Sequence, residues 1–193
     1  MAISLDTVKV LRDKTGVSIM QCQKALEEAE GDMDKAEVIL KKRSGAAADK
    51  KADRELAAGA IGSYVHDGMV GAMVLLSSET DFVSKNEEFA ELARAIAMHV
   101  AASNPSVLSS SEISEEAKTA AMSVFKEEVK DKPAEMQEKI LEGKMASYFK
   151  DQVLLEQSYI RDDSKTIQDL LNEASQKFGE RVEISKFARF SAR

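Results

Sequence analysis

The chain has 193 residues, of which 44% are hydrophobic and 32% are charged, a balance typical of a folded globular protein. Its formal net charge of −7 disfavours a general nucleic-acid binder, because such a protein must neutralise phosphates. A single cysteine excludes an internal disulfide, and no apolar run reaches the ~18 residues that a membrane span needs. Since no signal-peptide pattern opens the chain, we expect a cytoplasmic protein that contacts neither membranes nor nucleic acid directly.

Three short helices are predicted within residues 1–43. The first covers residues 5–14 and ends before Gly16, which suits the left-handed conformation past a helix end. Ser18 with Gln21 is typical of a capping box that opens the second helix, and Asp32 can cap the third. The spacing directs one face of each helix inward, namely Leu5, Val8 and Leu11, then Ile19, Cys22, Leu26 and Ala29, then Ala36, Ile39 and Leu40. We therefore expect a thin-cored bundle in which Cys22 is a buried hydrophobe and residues 15–17 expose apolar surface.

Residues 44–51 are rich in small and charged side chains, which predicts a linker. The following charged run, residues 50–54, is interpreted as a solvated helix face, with a basic contact to an acidic partner as the alternative. The sequence thus divides into a three-helix unit with its linker, residues 1–54, and a larger unit, residues 55–193.

A β-hairpin is predicted at residues 60–78. Two β-rich runs, 60–66 and 69–78, are joined by Asp67-Gly68, a dipeptide that favours a tight hairpin turn. The second strand is apolar on both faces, with Val74 on one and Met73 on the other, so we expect both faces to be at least partly covered. The strand ends at the segment Glu79–Val83, where Phe82 occupies a joint that usually carries polar residues.

Helices dominate the next part of the chain. One is predicted from Lys85 to Ser103, opened by Ser84 with Glu87 and ended by Asn104-Pro105. A helical hairpin is predicted at about 114–150, with one helix over residues 115–130, a connection at Asp131-Lys132, and Pro133 in the first turn of the second helix.

The C-terminal part is predicted to return to the sheet. Residues 153–155 form a buried irregular run, and Ser164 caps a last helix that Gly179 ends. Residues 182–190 then alternate as a strand, with Val182, Ile184, Lys186, Ala188 and Phe190 on one face. The predicted fold is α+β: an N-terminal three-helix bundle followed by a three-stranded antiparallel sheet packed against helices.

No catalytic constellation is found. His66 and His99 have no cysteine or acidic residue at metal-ligand spacing, and no phosphate-binding loop or nucleophile elbow occurs. We therefore expect no metal, no cofactor and no enzyme, and a hydrolase using either histidine with Asp81 is disfavoured. Binding is the favoured class of function. On the residues alone, Phe82 is either an apolar plug beneath the helix that follows it or a group directed at a partner.

Three stretches resemble the elongation factor Ts family, and they run through nearly the whole chain. The first is Leu11-Arg12-Asp13-Lys14-Thr15-Gly16, with Met20, the segment 22–29 and Gly31-Asp32. The second is Glu79-Thr80-Asp81-Phe82-Val83, and the third is residues 153–157 with 163–166.

The resemblance implies nucleotide exchange on elongation factor Tu in its GDP-bound and nucleotide-free forms. It implies that Thr80, Asp81, Phe82 and Val83 disturb the partner's magnesium site. It also implies that the N-terminal unit resembles a ubiquitin-associated bundle and contacts the partner's nucleotide domain through Leu11, Arg12, Thr15, Gly16, Val17 and Met20.

Two further interpretations accompany the resemblance. Longer family members carry two core subdomains, whereas residues 55–193 have room for one sheet, so a homodimer is a possible means of supplying the missing surface. The alternative function is that of a non-catalytic adaptor, which uses its three-helix unit to bind a different protein.

Overall fold

The computed structural model describes residues 3–130 and 133–192. The predicted connection at Asp131 and Lys132 therefore lies outside the described residues, as do both chain ends. None of the helices in the described residues combines the length and the apolar character that a membrane span requires.

The N-terminal bundle consists of α1 (Leu5–Thr15), α2 (Ile19–Glu28) and α3 (Met33–Asp49). Three predicted helix-end residues are confirmed: Gly16 has φ of 68°, and the Ser18 and Asp32 side chains accept hydrogen bonds from the Gln21 and Lys35 amides. The second half of the predicted capping box does not form, because the Gln21 side chain accepts a hydrogen bond from Gln176 instead. Cys22 is fully buried among Val8, Leu11, Leu26 and Leu40, and this burial raises the pKa of its thiol.

Two expectations for the bundle are wrong. Leu5 and Ile19 were assigned to inward faces but are 73% and 49% exposed, because a bundle of three short helices covers only a narrow stripe of each. Val17, expected to expose apolar surface, is buried and closes the bundle core instead.

The predicted linker at residues 44–51 is also corrected, because α3 continues through Asp49. Its three consecutive alanines favour a helix, and its small side chains allow it to pack closely against α8 (Ile167–Phe178). Ser44 is buried there, and its hydroxyl group lies within hydrogen-bond distance of the Leu40 carbonyl and of the Gln176 side chain. Beyond the helix, Lys51 Nζ donates to the Ser175 carbonyl at 2.7 Å. The boundary between residues 54 and 55 stays a prediction.

The main sheet has the antiparallel order β1 (Ala58–His66), β2 (Val70–Ser78), β5 (Val182–Ser191). Asp67 and Gly68 have φ of 47° and 68°, which confirms a tight turn with two left-handed residues. On the inner face Ala72, Val74 and Leu76 are buried, whereas on the outer face Met73 and Leu75 are 48% and 37% exposed. The expected cover on the second face is therefore absent among the described residues.

A β-bulge divides the last strand. Leu75 pairs with Lys186 but Leu76 pairs with Ile184, so Ser185 is an extra residue. The bulge exchanges the two faces: Val182 and Ile184 are buried, but Lys186 and Phe190 are exposed. The prediction that Val182, Ile184, Lys186, Ala188 and Phe190 share one face is therefore wrong.

Helix α5 (Glu87–Ser103) crosses the inner face of the sheet, with α8 beside it. Phe89, Ile96 and Val100 are fully buried, and their spacing places them on one face of the helix. Gly62 allows the close approach of strand and helix, because a Cβ there would lie 2.1 Å from the carbonyl of Ala93.

The remaining α-helices and strands of the described residues are α4 (Asp81–Ser84), α6 (Glu115–Val129), α7 (Ala134–Lys150), β3 (Ser158–Tyr159) and β4 (Asp162–Thr166). Helices α6 and α7 form the predicted hairpin, held by the T-shaped pair Phe125 and Tyr148 and by Lys144 with Glu128. Pro133 is the residue before α7 rather than part of its first turn. Residues 153 and 154 are fully buried, as predicted, and β3 pairs with β4 in a small ribbon that the sequence analysis missed.

Two predicted caps are displaced by short elements. Ser164 lies within β4, and α8 is instead capped by Thr166, which forms a capping box with Asp169. Ser84 is the last residue of α4, and Asn86 accepts the hydrogen bond that opens α5. In both cases a short polar segment has several residues able to cap, and the chain path selects among them.

Candidate functional site

The predicted joint at residues 80–83 is a single turn of helix between the sheet and α5. Strand β2 ends at Ser78, α4 spans Asp81–Ser84, and α5 begins at Glu87. Thr80 is in an extended conformation, so the chain changes direction abruptly before α4.

Phe82 and Val83 point in opposite directions from this turn. Val83 is 8% exposed and packs into the core cluster, whereas Phe82 is 87% exposed. The residue of this turn that packs into the core is therefore Val83, and the interpretation of Phe82 as a core plug is wrong. An aromatic ring this exposed gains nothing from folding and is available to another molecule.

Thr80 is held by hydrogen bonds at all three of its polar groups. Its backbone N–H and its hydroxyl donate to Glu180 at 3.0 and 2.5 Å, and its carbonyl accepts from Ser78 Oγ at 3.0 Å. The start of α4 is therefore fixed against the segment that joins α8 to β5.

Asp81 is exposed and forms an ion pair with Lys85, at 2.6 Å. The hydrogen bond from Lys85 and the charge of its ammonium group lower the pKa of Asp81 below its ordinary value. At neutral pH the joint therefore presents a carboxylate beside an aromatic ring, with an exposed lysine as the carboxylate's partner.

The predicted contact residues of the N-terminal bundle are only partly accessible. Arg12, Gly16 and Met20 are exposed, with Met20 at 66%, and Thr15 is half-buried with its hydroxyl donating to the Leu11 carbonyl at 2.7 Å. Leu11 and Val17 lie in the bundle core and cannot touch a partner directly in this conformation. Their place in the motif is explained by packing, since they support the exposed turn.

The turn at Gly16 lies close to the core unit. A Cβ at Gly16 would lie 3.5 Å from the side chain of Lys177, whose ammonium group is 2.9 Å from Glu88 Oε1. The bundle turn, α8 and the start of α5 therefore meet on one side of the molecule. Because α5 directly follows the joint at residues 80–83, the bundle turn and the joint lie on the same side of the molecule.

The histidines do not form a hydrolytic site. His99 is completely buried, and its Nε2 donates to Gln157 Oε1 at 2.9 Å while Gln157 Nε2 donates to the Asp151 carbonyl at 2.6 Å. His66 lies at the exposed hairpin turn and is hydrogen-bonded to the Tyr64 hydroxyl at 3.1 Å. Within residues 3–130 and 133–192, no three histidine, cysteine or acidic residues group as metal ligands would.

Sequence reasoning missed several residues around the joint. Lys85 follows Asp81 by one helical turn, a spacing that could have indicated the ion pair. Glu180 and Arg54 could not have been found, because their contacts with Thr80 and Glu79 join distant parts of the chain.

Comparison with known proteins identifies relatives along nearly the whole chain. A family model described as elongation factor TS matches residues 46–193. The elongation factor Ts of Thermotoga neapolitana is 43% identical over 191 residues, which cover 98% of this chain and 97% of that protein. The proteins of the same name from Thermodesulfovibrio yellowstonii and Thermosipho melanesiensis are each 44% identical, with 98% of this chain and 96% and 98% of their own lengths covered.

Proposed function

This chain belongs to the elongation factor Ts family and has a role in translation elongation, and on that premise we propose that it is a guanine nucleotide exchange factor for elongation factor Tu. The observation that carries the proposal is the exposed ring of Phe82 on a joint whose base is fixed by hydrogen bonds. We propose the cytoplasm as its place of action, since translation elongation takes place there.

The joint acts on the partner's magnesium site. A GTPase holds GDP through phosphate-loop amides and a Mg²⁺ ion that requires near-ideal octahedral geometry. Phe82 enters an apolar crevice of the partner, and burying such a ring provides about 1.5–3 kcal/mol. Part of that free energy moves the elements that hold the metal's water ligands, and the weakened coordination releases GDP.

Asp81 assists at the same place. Its carboxylate turns from Lys85 toward the partner, where it competes with the groups that hold Mg²⁺ or repels those that bear negative charge. The exchange of partners costs little, because an exposed ion pair contributes only about 0–1 kcal/mol. Thr80 and Val83 hold the turn in place.

Linkage makes the action reversible. If the protein lowers the affinity of elongation factor Tu for GDP, then bound GDP must lower the affinity of elongation factor Tu for the protein by the same factor. GTP then enters the empty site and releases the protein. No covalent bond is made or broken, so the protein is not an enzyme in the chemical sense.

The exposed residues of the N-terminal bundle form the second contact. Arg12, Gly16 and Met20 bind the nucleotide domain of elongation factor Tu and hold the joint near its target. This contact provides affinity, and the joint provides the displacement.

The test is release of a fluorescent GDP analogue from elongation factor Tu, measured with and without this protein. We expect acceleration that saturates with protein concentration. Release that proceeds at the same rate in its presence would contradict the proposal.

A second experiment separates exchange from an adaptor function. We expect the double substitution R12A/M20S to raise the concentration needed for half-maximal release while leaving the maximal rate nearly unchanged. Val38→Ser, at an exposed position on the same bundle, is the matched control. If the bundle served an adaptor function, it would bind a different protein through Arg12 and Met20. The double substitution would then leave the concentration dependence of GDP release the same as in the wild type.

We also propose that the protein forms a symmetric homodimer through the outer face of its sheet. The exposed apolar residues of this face come from all three strands, namely Ile61, Val65, Met73, Leu75 and Phe190. Two charged residues, Glu183 and Lys186, stand at outward positions of the described strands of this sheet, and Glu183 is paired with Arg181. A self-complementary apolar face of this kind suits a two-fold interface, in which the second copy provides the missing cover.

A further inference from the structure

Two acidic residues connect the joint to the segment between α8 and β5 in both directions. Glu180 accepts the Thr80 N–H at 3.0 Å and the Thr80 hydroxyl at 2.5 Å. In return, Glu79 Oε1 accepts a hydrogen bond from the Arg181 backbone N–H at 2.6 Å. The same oxygen accepts a hydrogen bond from Arg54 Nη1 at 3.1 Å. Each chain segment therefore holds the backbone of the other, an arrangement that we call the reciprocal brace, formed by Glu79, Thr80, Glu180 and Arg181.

The brace replaces the usual helix cap at Thr80. A threonine before the first helical residue ordinarily accepts a hydrogen bond from an amide of the helix, and such a cap contributes about 1 kcal/mol. Here the Thr80 side chain makes no capping bond, and its hydroxyl donates to Glu180 instead. Helix α4 thus lacks the stabilisation of a side-chain cap, and Thr80, the residue before it, is instead held in a fixed position relative to the end of α8.

Helix α4 depends on such external bonds for its position. It has four residues, and a single turn cannot form a stable helix by itself because nucleation is unfavourable. Val83 anchors it on the core side, while Phe82 on the opposite side has no packing to orient it. The direction in which Phe82 projects is therefore set by the position of the α4 backbone. That backbone is held at its N-terminal end by Thr80.

We propose that Glu180 is a positioning residue for nucleotide exchange, which fixes the joint so that Phe82 and Asp81 meet the partner already ordered. This inference rests on the proposed function. Ordering the joint before the encounter removes a conformational cost from binding, and a ring held in one direction can transmit force to the partner's helices. Glu180 acts through Thr80, which it holds at the backbone N–H and at the hydroxyl.

The first test measures the brace without the partner. Amide hydrogen exchange at Thr80, followed by NMR, reports directly on the hydrogen bond that the Thr80 N–H donates to Glu180. We expect Glu180→Ala to accelerate this exchange, and Glu180→Gln to restore much of the protection because its amide oxygen still accepts. Glu87→Ala is the control, since it removes a nearby exposed carboxylate for which the described residues show no hydrogen bond or ion pair. Unchanged protection of Thr80 in Glu180→Ala would overturn the inference.

The second test measures GDP release at saturating protein concentration. We expect Glu180→Ala to lower the maximal rate by roughly three- to tenfold, the effect of a lost hydrogen-bonded contact. Glu180→Gln should recover most of the rate, and Glu87→Ala should match the wild type. Thr80→Val should slow release in the wild-type background but have no further effect in Glu180→Ala, because both changes remove the same hydroxyl contact.

The outcomes distinguish this inference from the function on which it rests. If the wild-type protein does not accelerate release, both fall. If the wild type accelerates release and Glu180→Ala equals it, the inference alone falls. A large drop in melting temperature for Glu180→Ala would show that the residue supports the fold in general, and this too would overturn a positioning role.

Discussion

Two phenylalanines close together in the chain have opposite environments. Phe82 is 87% exposed, whereas Phe89 is completely buried and makes a T-shaped contact with Phe178. We expect Phe82→Ala to change the free energy of unfolding by less than about 0.5 kcal/mol and to slow GDP release sharply. Phe89→Ala, the matched control, should lower the free energy of unfolding by about 3–5 kcal/mol. Thermal melting and fluorescent-GDP release, measured on both variants, check this. Strong destabilisation by Phe82→Ala with exchange per folded molecule intact would refute the role given to its ring.

His99 gives a second prediction at the residue scale. Burial lowers its pKa, although the hydrogen bond with Gln157 opposes the shift. The unfolded chain, with an ordinary imidazole pKa of about 6.5, then binds more protons than the folded one. At high pH His99 is neutral in both states, so its titration does not change the free energy of unfolding. As the pH drops below about 6.5, the free energy of unfolding falls by at most ~1.4 kcal/mol per pH unit on account of this residue.

Urea unfolding between pH 7.5 and 5.5 measures this dependence above the range in which most carboxylates titrate. We expect His99→Gln to have a flatter dependence than the wild type, whatever its absolute stability. Equal slopes in the wild type and His99→Gln would exclude His99 as the source.

At the scale of elements, the contact between β1 and α5 is limited by a glycine. A Cβ at Gly62 would lie 2.1 Å from backbone atoms of Ala93, and a backbone cannot move aside as a side chain can. We expect Gly62→Ala to lower the free energy of unfolding by about 3 kcal/mol or more. Gly143→Ala is the control, since nothing lies within 4 Å of its Cβ position in α7. That change should instead stabilise by ~0.5–1 kcal/mol, because alanine is the better helix former. Chemical denaturation of the two variants measures both effects, and equal stability would contradict the close contact.

At the scale of the whole molecule, the open face of the sheet determines the expected assembly. We expect the wild type to sediment as a dimer at micromolar concentration and Met73→Lys to dissociate it, because a charge would be buried without a partner. Met136→Lys introduces the same charge at an exposed methionine on the helical hairpin and should remain dimeric. Analytical ultracentrifugation of the three proteins decides this. A monomeric wild type, or equal association of both variants, would contradict an interface on the sheet.

The sequence by itself determined the features that depend on neighbouring residues. The Asp67-Gly68 turn, the left-handed glycines that end α1 and α8, and the buried stripe of α5 follow from local chemistry and periodicity. The unusual position of Phe82 at the joint could be noticed in the same way, whereas the set Thr80-Asp81-Phe82-Val83 came from the family resemblance. Only the tertiary structure decided which way Phe82 points, where the bulge at Ser185 exchanges the faces of β5, and that Glu180 holds Thr80. These features arise from contacts between segments distant in the chain, and the periodicity of one segment carries no information about the backbone that packs against it.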